Sequence, residues 1–362
     1  MTCNPRVQSP RLISGLFVFL VVSTFQAPGW QEKISPVSDY QYKKDYAQFE
    51  TIRKEADPQK RADLLLGFMK EHPISRMLTY VVADYLECVK PHMQSKNWAK
   101  VISMEEAMLA LMPSEKTVRA AAVPEPGAGD FLKNVLPAAE RSIQQALLAA
   151  YYQSGNMPKA AEMGERMYAA SPDAGMAAAL ADIYLKMNNA GKFTTYAEKA
   201  VSAIPIEHSY TLALQLAGIY QQNNDLPRAS GYAEKVMAVY GDKVPQGFQE
   251  SAWNTSRAYC YGLMGLNAYA NKDYDKTLEH YTKVLKLAPK SDDAWYYTGM
   301  VRWRREDPEG AIDAFAKCVV INKTMAKRAQ ENLEKLYKAR HNDTLDGLDQ
   351  VLAKAKSELG IS

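Results

Sequence analysis

Apolar residues in the first third of the chain recur at helical spacing, and short polar turns separate the apolar stretches. Residues 40–55 and 58–71 form one such pair of segments, and residues 77–93 and 96–113 form a second. Proline closes both pairs, and proline disfavours helix in the residue before it. The pattern therefore predicts antiparallel helical hairpins over residues 38–113.

The composition agrees with a helical fold. The sequence favours Ala, Leu, Met, Lys and Glu, contains 22 Tyr, and has few long Val or Ile runs. At 362 residues with 47% apolar content, the chain has ample material for a buried core. We therefore expect an all-α fold with few strands.

A period of about 34 residues appears in the second half of the chain. In the unit that begins at Asp292, Trp295, Gly299, Ala311 and Phe315 occupy the fourth, eighth, twentieth and twenty-fourth places. Small residues at the eighth and twentieth places let two antiparallel helices approach closely. Further units that keep several of these places begin at residues 141, 174, 210 and 258.

This pattern of places resembles the tetratricopeptide repeat family. The resemblance implies a superhelical solenoid of antiparallel helix hairpins, in which each hairpin buries its apolar face against its neighbours. Several places depart from the family pattern: Phe193 and Thr277 stand at the small twentieth place, and Ala268 and Arg302 replace the eleventh-place tyrosine. We expect the repeat array to cover residues 136–325.

Breaks in the pattern predict the domain limits. Residues 114–135 include a Pro/Gly/Ala stretch that predicts an exposed linker. Between residues 241 and 255 the signature places drift apart, and the stretch 249–271, which is nearly free of helix breakers, predicts a first helix that begins early and runs long. Residues 326–362 predict a charged terminal hairpin that caps the array.

The N-terminus predicts export. Residues 12–25 form an apolar run that follows Arg6 and Arg11, with no acidic residue before it. This charge and length pattern is typical of a secretory signal, and the run is short for a membrane span. The sequence leaves open whether residues 1–30 are a cleaved signal peptide or an N-terminal membrane anchor. In both cases the rest of the chain is expected outside the cytoplasm, in the periplasm or cell envelope.

Charge and motifs argue against several classes of function. The chain has 44 Lys and Arg against 41 Asp and Glu, so its net charge of +3 lacks the basic excess of a nucleic-acid-binding surface. The histidines are scattered, and no phosphate loop, nucleophile elbow or dinucleotide fingerprint is present. We therefore expect no enzyme activity, no metal site, no cofactor and no nucleic-acid partner.

In the tetratricopeptide family the concave surface is lined by fixed places of each first helix. Carrying these places over implies a groove that is amide-rich at its start and aromatic and basic at its end. Whether the aromatic residues line the groove or bridge adjacent hairpins as core stays open. The implied partner-binding residues are Gln145, Tyr152, Gln153, Asp182, Lys186, Gln221, Tyr259, Tyr269, Tyr296, Trp303 and Arg304.

These observations predict a non-catalytic scaffold or adaptor that binds a protein or peptide outside the cytoplasm. We expect the C-terminal end of the groove to contribute most of the affinity, because aromatic residues and arginine dominate interface hot spots. Its arginines favour an acidic segment. Two alternatives remain: a membrane-tethered factor that assembles an envelope complex, and an enzyme or glycan-binding protein that uses the N-terminal region.

Overall fold

The computed structural model describes residues 38–120, 129 and 131–361. Within them all regular structure is helical, and no strand occurs. This confirms the predicted all-α class. A π-helical turn, Phe131–Val135, precedes the sixth α-helix. The α-helices are α1 (Asp39–Arg53), α2 (Pro58–Glu71), α3 (Leu78–Gln94), α4 (Trp98–Leu109), α5 (Glu115–Ala120), α6 (Leu136–Gln153), α7 (Met157–Ala170), α8 (Ala174–Lys186), α9 (Ala190–Ala203), α10 (Ile206–Gln222), α11 (Leu226–Tyr240), α12 (Glu250–Ala270), α13 (Tyr274–Leu287), α14 (Asp292–Arg304), α15 (Pro308–Ile321), α16 (Ala326–Arg340) and α17 (Leu348–Glu358).

The six hairpin turns from α3–α4 to α14–α15 share one local conformation. A residue with positive φ is followed by Asn or Asp, whose side-chain oxygen accepts a hydrogen bond from the backbone N–H three residues later. Asn156 accepts from Lys159 N at 3.3 Å, and Asp307 accepts from Gly310 N at 2.9 Å. These N-caps start the second helix within two residues of the positive-φ turn. The positive-φ residues are Lys96, Gly155, Asn188, Asn224, Lys272 and Glu306.

Small residues permit the close helix contact that the repeat requires. A Cβ added at Gly299 would lie 2.7 Å from the Phe315 ring, and one added at Gly265 would lie 3.1 Å from the Tyr281 ring. In both hairpins the eighth-place glycine therefore faces the aromatic residue of the twenty-fourth place. Ala311 at the twentieth place is fully buried. These contacts confirm the spacing argument for the last two predicted repeats.

The described residues divide into two compact units within α9, one ending at Tyr196 and the other beginning at Ala197. In the first unit, α6 packs against α3, α4 and α7, around fully buried Tyr85, Ile143 and Leu147. No sequence signal indicated this division.

In the second unit, each helix from α10 to α15 packs against the next along the chain, as expected for stacked hairpins, and α17 packs on α15. Trp253 near the start of α12 is fully buried and meets Tyr210, Tyr240 and Phe248 edge-on. This aromatic cluster accounts for the early start of α12. The helix has 21 residues, in agreement with the long first helix predicted from the scarcity of helix breakers.

Three clusters of glutamate, tyrosine and a cation join successive hairpins. In each, the glutamate lies on the second helix of one hairpin, the tyrosine on the first helix of the next hairpin, and the cation at the start of the second helix of that hairpin. Lys192 and Tyr184 both donate to Glu165 at 2.7 Å, and the Lys192 hydrogen bond is the main cause that lowers the pKa of Glu165. The clusters are Glu106–Tyr151–Lys159, Glu165–Tyr184–Lys192 and Glu198–Tyr220–Arg228.

Some predicted segments lie at or beyond the edge of the described residues. Residues 1–30, the predicted signal or anchor, lie outside them. Of the predicted linker 114–135, helix α5 and the π-helical turn are described, and residues 121–128 and 130 are not. The predicted domain limits therefore stay a prediction. Among the described helices, none combines the length and hydropathy needed to cross a bilayer.

Candidate protein-binding surface

Three of the predicted binding residues form one cluster in the first unit. The Tyr152 hydroxyl donates to Asp182 on α8, and Lys186 donates to the same hydroxyl. The Lys186 Nζ also lies 3.5 Å from Asp182 and 3.9 Å from the centre of the Tyr152 ring. Burial, followed by the hydrogen bond to Asp182, raises the pKa of Tyr152. Because the charges of Asp182 and Lys186 neutralise each other, this cluster offers little net attraction to a charged partner.

Gln145 and Gln153, also predicted to bind, are exposed on α6. They flank Tyr152 along the same helix, but the structure shows no contact between either amide and the other predicted residues. Their side chains are therefore accessible, and the structure gives them no special role.

The second unit joins Gln221 and Tyr259. The Tyr259 hydroxyl donates to the Gln221 Oε1 at 3.0 Å and lies 3.5 Å from the place of a Cβ on Gly218. Burial raises the pKa of Tyr259 to about 12. Since the Tyr259 hydroxyl already has a partner on α10, this tyrosine connects α10 with α12 as well as lining the surface.

Tyr269 and Arg304 also meet in the second unit. Arg304 lies beside the hydroxyls of Tyr269 and Tyr274, and the interaction with Tyr269 is the main reason that the pKa of Arg304 is raised. The Tyr269 and Tyr297 rings lie 4.9 Å apart. Arg304 is exposed and forms no ion pair with a described residue. Its charge is therefore available to a partner.

Tyr296 and Trp303 on α14 are half-buried, and both pack on the core of the last hairpins. The centre of the Phe315 ring lies 6.0 Å from that of Tyr296 and 6.3 Å from that of Trp303. The Nζ of Lys335 on α16 lies 5.8 Å from the Trp303 ring. Each ring thus has one side in the core and another part accessible, and its contact with a partner stays a prediction.

Sequence reasoning missed the contribution of α16. Lys335 approaches Trp303, and the Asn332 amide donates to the Met300 sulfur at 3.4 Å. Burial raises the pKa of Tyr297 to about 12, and the nearby charge of Arg328 acts in the opposite direction. Helix α16 begins 34 residues after α14, which is the repeat length, so its spacing indicates a further first helix as well as a cap.

Together these residues form what we name the aromatic–basic face: Tyr269, Tyr297, Trp303, Arg304, Arg328 and Lys335. Its three cations form no ion pair with any residue in the described ranges. Asp293 is the acidic residue whose charge acts on Tyr297. The face therefore combines accessible aromatic area with net positive charge, which suits an acidic segment of a protein.

The residue types that could support chemistry are the metal-ligating side chains and the cysteine thiols. Within the described residues, no group of three or more His, Cys, Asp or Glu side chains has the arrangement of a metal site. Cys88, Cys260 and Cys318 are buried as free thiols, and burial raises the pKa of each. A raised thiol pKa makes these cysteines poor nucleophiles.

Part of the region that carries this face matches a known family of repeats. Residues 263–323, from within α12 to just beyond α15, match the tetratricopeptide repeat family model. This stretch of the chain carries tetratricopeptide-type repeat sequence. No curated protein matches the chain significantly.

Solved structures with tetratricopeptide-type folds are similar to the chain. MamA is 17% identical over 54% of this chain and 98% of its own, with a TM-score of 0.35. A tetratricopeptide repeat protein from Parabacteroides merdae is 13% identical over 82% and 98%, with a TM-score of 0.33. Yeast Tom70 is 15% identical over 88% and 62%, with a TM-score of 0.36. At these identities and TM-scores the likeness carries no inference about function.

Proposed function

We propose that this tetratricopeptide-repeat chain is a non-catalytic protein-binding scaffold whose aromatic–basic face holds an acidic segment of its partner. The observation that carries the proposal is the set of three unpaired cations, Arg304, Arg328 and Lys335, beside half-buried aromatic rings. Aromatic rings bury large rigid areas on binding, and the cations attract an acidic segment and orient it. The groove residues of the first unit, whose charges pair internally, contribute less.

We also propose that the scaffold acts outside the cytoplasm. The support is the Arg-flanked apolar run at residues 12–25. A tethered factor that assembles an envelope complex remains the alternative, because residues 1–30 carry no clear cleavage site. Mass spectrometry of the mature N-terminus separates a cleaved signal from an anchor. Full-length protein found free in the cytoplasm would contradict export.

A labelled peptide rich in Asp and Glu tests the binding proposal. The matched probe is the same peptide with Asn in place of each Asp and Gln in place of each Glu. We expect the acidic peptide to bind the full chain more tightly, and its affinity to fall as salt rises from about 0.02 to 0.2 M, because ions screen exposed charges. Arg328→Ala should weaken binding roughly five- to tenfold, as expected for a rim charge that loses its partner.

Lys243 provides the control, since it is an exposed lysine in the loop after α11, away from the face. Lys243→Ala should leave the affinity unchanged. Equal binding of the acidic and amide peptides, or equal losses in the Arg328 and Lys243 variants, would contradict the proposal.

A further inference from the structure

The three glutamate–tyrosine–cation clusters differ at one position. In two of them a second tyrosine, twelve residues after the first, stacks on the cluster tyrosine. Tyr196 lies parallel to Tyr184 with ring centres 5.8 Å apart, and Tyr232 lies parallel to Tyr220 at 5.9 Å. In the remaining cluster Met163 stands at this position, so Tyr151 has no stacked ring.

A cavity of about 320 Å³ lies at this place in the first unit. Tyr151 and Met163 line it, together with Leu109 and Leu147. In the Glu165 cluster the residue that corresponds to Leu109 is Tyr168, whose ring meets Tyr196 edge-on at 5.5 Å. The cavity therefore lies where the neighbouring cluster contains a pair of tyrosine rings. Its volume is at the small end of the range for ligand pockets.

The polar side of the cavity matches a phenol hydroxyl. Glu165 accepts hydrogen bonds from Tyr184, Lys192 and, at 3.2 Å, from the stacked Tyr196. Among the described residues, Glu106, which lines the cavity, accepts hydrogen bonds from Tyr151 and Lys159 only. A carboxylate has room for further donors. Glu106 would therefore accept a hydrogen bond from the hydroxyl of a ring in the cavity, as Glu165 accepts one from Tyr196.

We propose that this cavity binds a tyrosine side chain of a protein partner, with the ring stacked on Tyr151 and the hydroxyl donating to Glu106. The chain does not supply this ring from the segments beyond the described residues, because residues 1–37 and 121–128 contain no tyrosine. The site is distinct from the aromatic–basic face, and it gives the first unit a binding role of its own.

Saturation-transfer NMR on the full chain tests the proposal, with p-cresol as the side-chain probe, toluene as the probe without a hydroxyl, and N-acetyl-tyrosine amide as the probe with a peptide backbone. We expect p-cresol and the amide to bind with a Kd of about 1 mM, as befits ligands this small, and toluene to bind more weakly. Glu106→Gln should weaken p-cresol about three- to tenfold, because a charged acceptor becomes neutral.

Met163→Tyr should abolish binding of all probes, since it places the ring of the other two clusters in the cavity, and it should not lower the melting temperature. Gln153→Ala is the control and should bind p-cresol within about twofold of the original chain, since Gln153 is exposed and does not line the cavity. If Met163→Tyr fails to fold, Met163→Phe takes its place. The proposal would be overturned if p-cresol does not bind, or if it binds the Met163→Tyr variant as well as the original chain. It would also be overturned if p-cresol binds but N-acetyl-tyrosine amide does not.

Discussion

Replacement of Glu105 by leucine should stabilise the protein, and the gain should grow with pH. Glu105 on α4 is fully buried beside Met104 and Met108, and neither carboxyl oxygen has a hydrogen-bond partner among the described residues. Burial raises the pKa of this carboxyl from 4.5 to about 8. The folded chain therefore retains a proton that the unfolded chain releases above pH 4.5.

The direction in which stability changes with pH follows from this difference in proton binding. Because the folded state binds more protons, the free energy of unfolding falls as pH rises from the unfolded pKa through the folded one. Each pH unit in this window is worth about 1.4 kcal/mol, so wild-type protein should lose roughly 3 kcal/mol between pH 4.5 and pH 7 through this residue. Glu105→Leu removes this titrating group, and with it the loss of stability as pH rises.

Urea unfolding of both proteins, followed by circular dichroism at pH 5, 6, 7 and 8, measures the effect. We expect the stability difference between Glu105→Leu and wild type to increase by roughly 2.5 kcal/mol between pH 5 and pH 7. Glu162→Gln is the control, because the Glu162 side chain is 71% exposed, and it should show a constant difference. Parallel stability curves for Glu105→Leu and wild type would refute the reasoning.

Three further changes test the packing. Gly299→Ala should destabilise the protein by about 1–3 kcal/mol in urea unfolding, because its Cβ would lie 2.7 Å from Phe315. Gly262→Ala should raise stability by up to about 1 kcal/mol in the same assay, since open space surrounds its Cβ and alanine favours helix; a loss at this site would contradict the packing. Tyr220→Phe removes the donation to Glu198 and should lower stability by about 1 kcal/mol, and an unchanged denaturation midpoint would mean that this cluster does not stabilise the stack.

The helices could be predicted because their ends are local events. An Asn or Asp N-cap after a positive-φ residue marks the six hairpin turns from α3–α4 to α14–α15. Gly299, at the eighth place, is explained by its contact with Phe315 within the same repeat. Helix α12 could be placed because residues 249–271 contain few breakers.

The candidate site depends on contacts that the repeat places do not encode. Glu105 and Glu106 are adjacent acids in the sequence, yet one is buried without a partner and the other joins Tyr151 and Lys159. The predicted linker separates Glu106 from Tyr151, so the period gave no sign of their contact. The basic residues of α16, such as Arg328, were interpreted as a solvated cap because their contacts arise only when α14 and α16 come together.

The affinity of variants for an isolated partner tests the central claim, that the aromatic–basic face binds the partner of this scaffold. The comparison sets Trp303→Ala and Arg304→Ala against Gln145→Ala and Gln153→Ala, with helicity and melting checked for each. Loss of Trp303 should weaken binding by about 2 kcal/mol, as for a central interface anchor, and the glutamine variants should bind almost normally. If the first pair melts early while the folded protein binds its partner normally, these side chains serve the core and the claim is wrong.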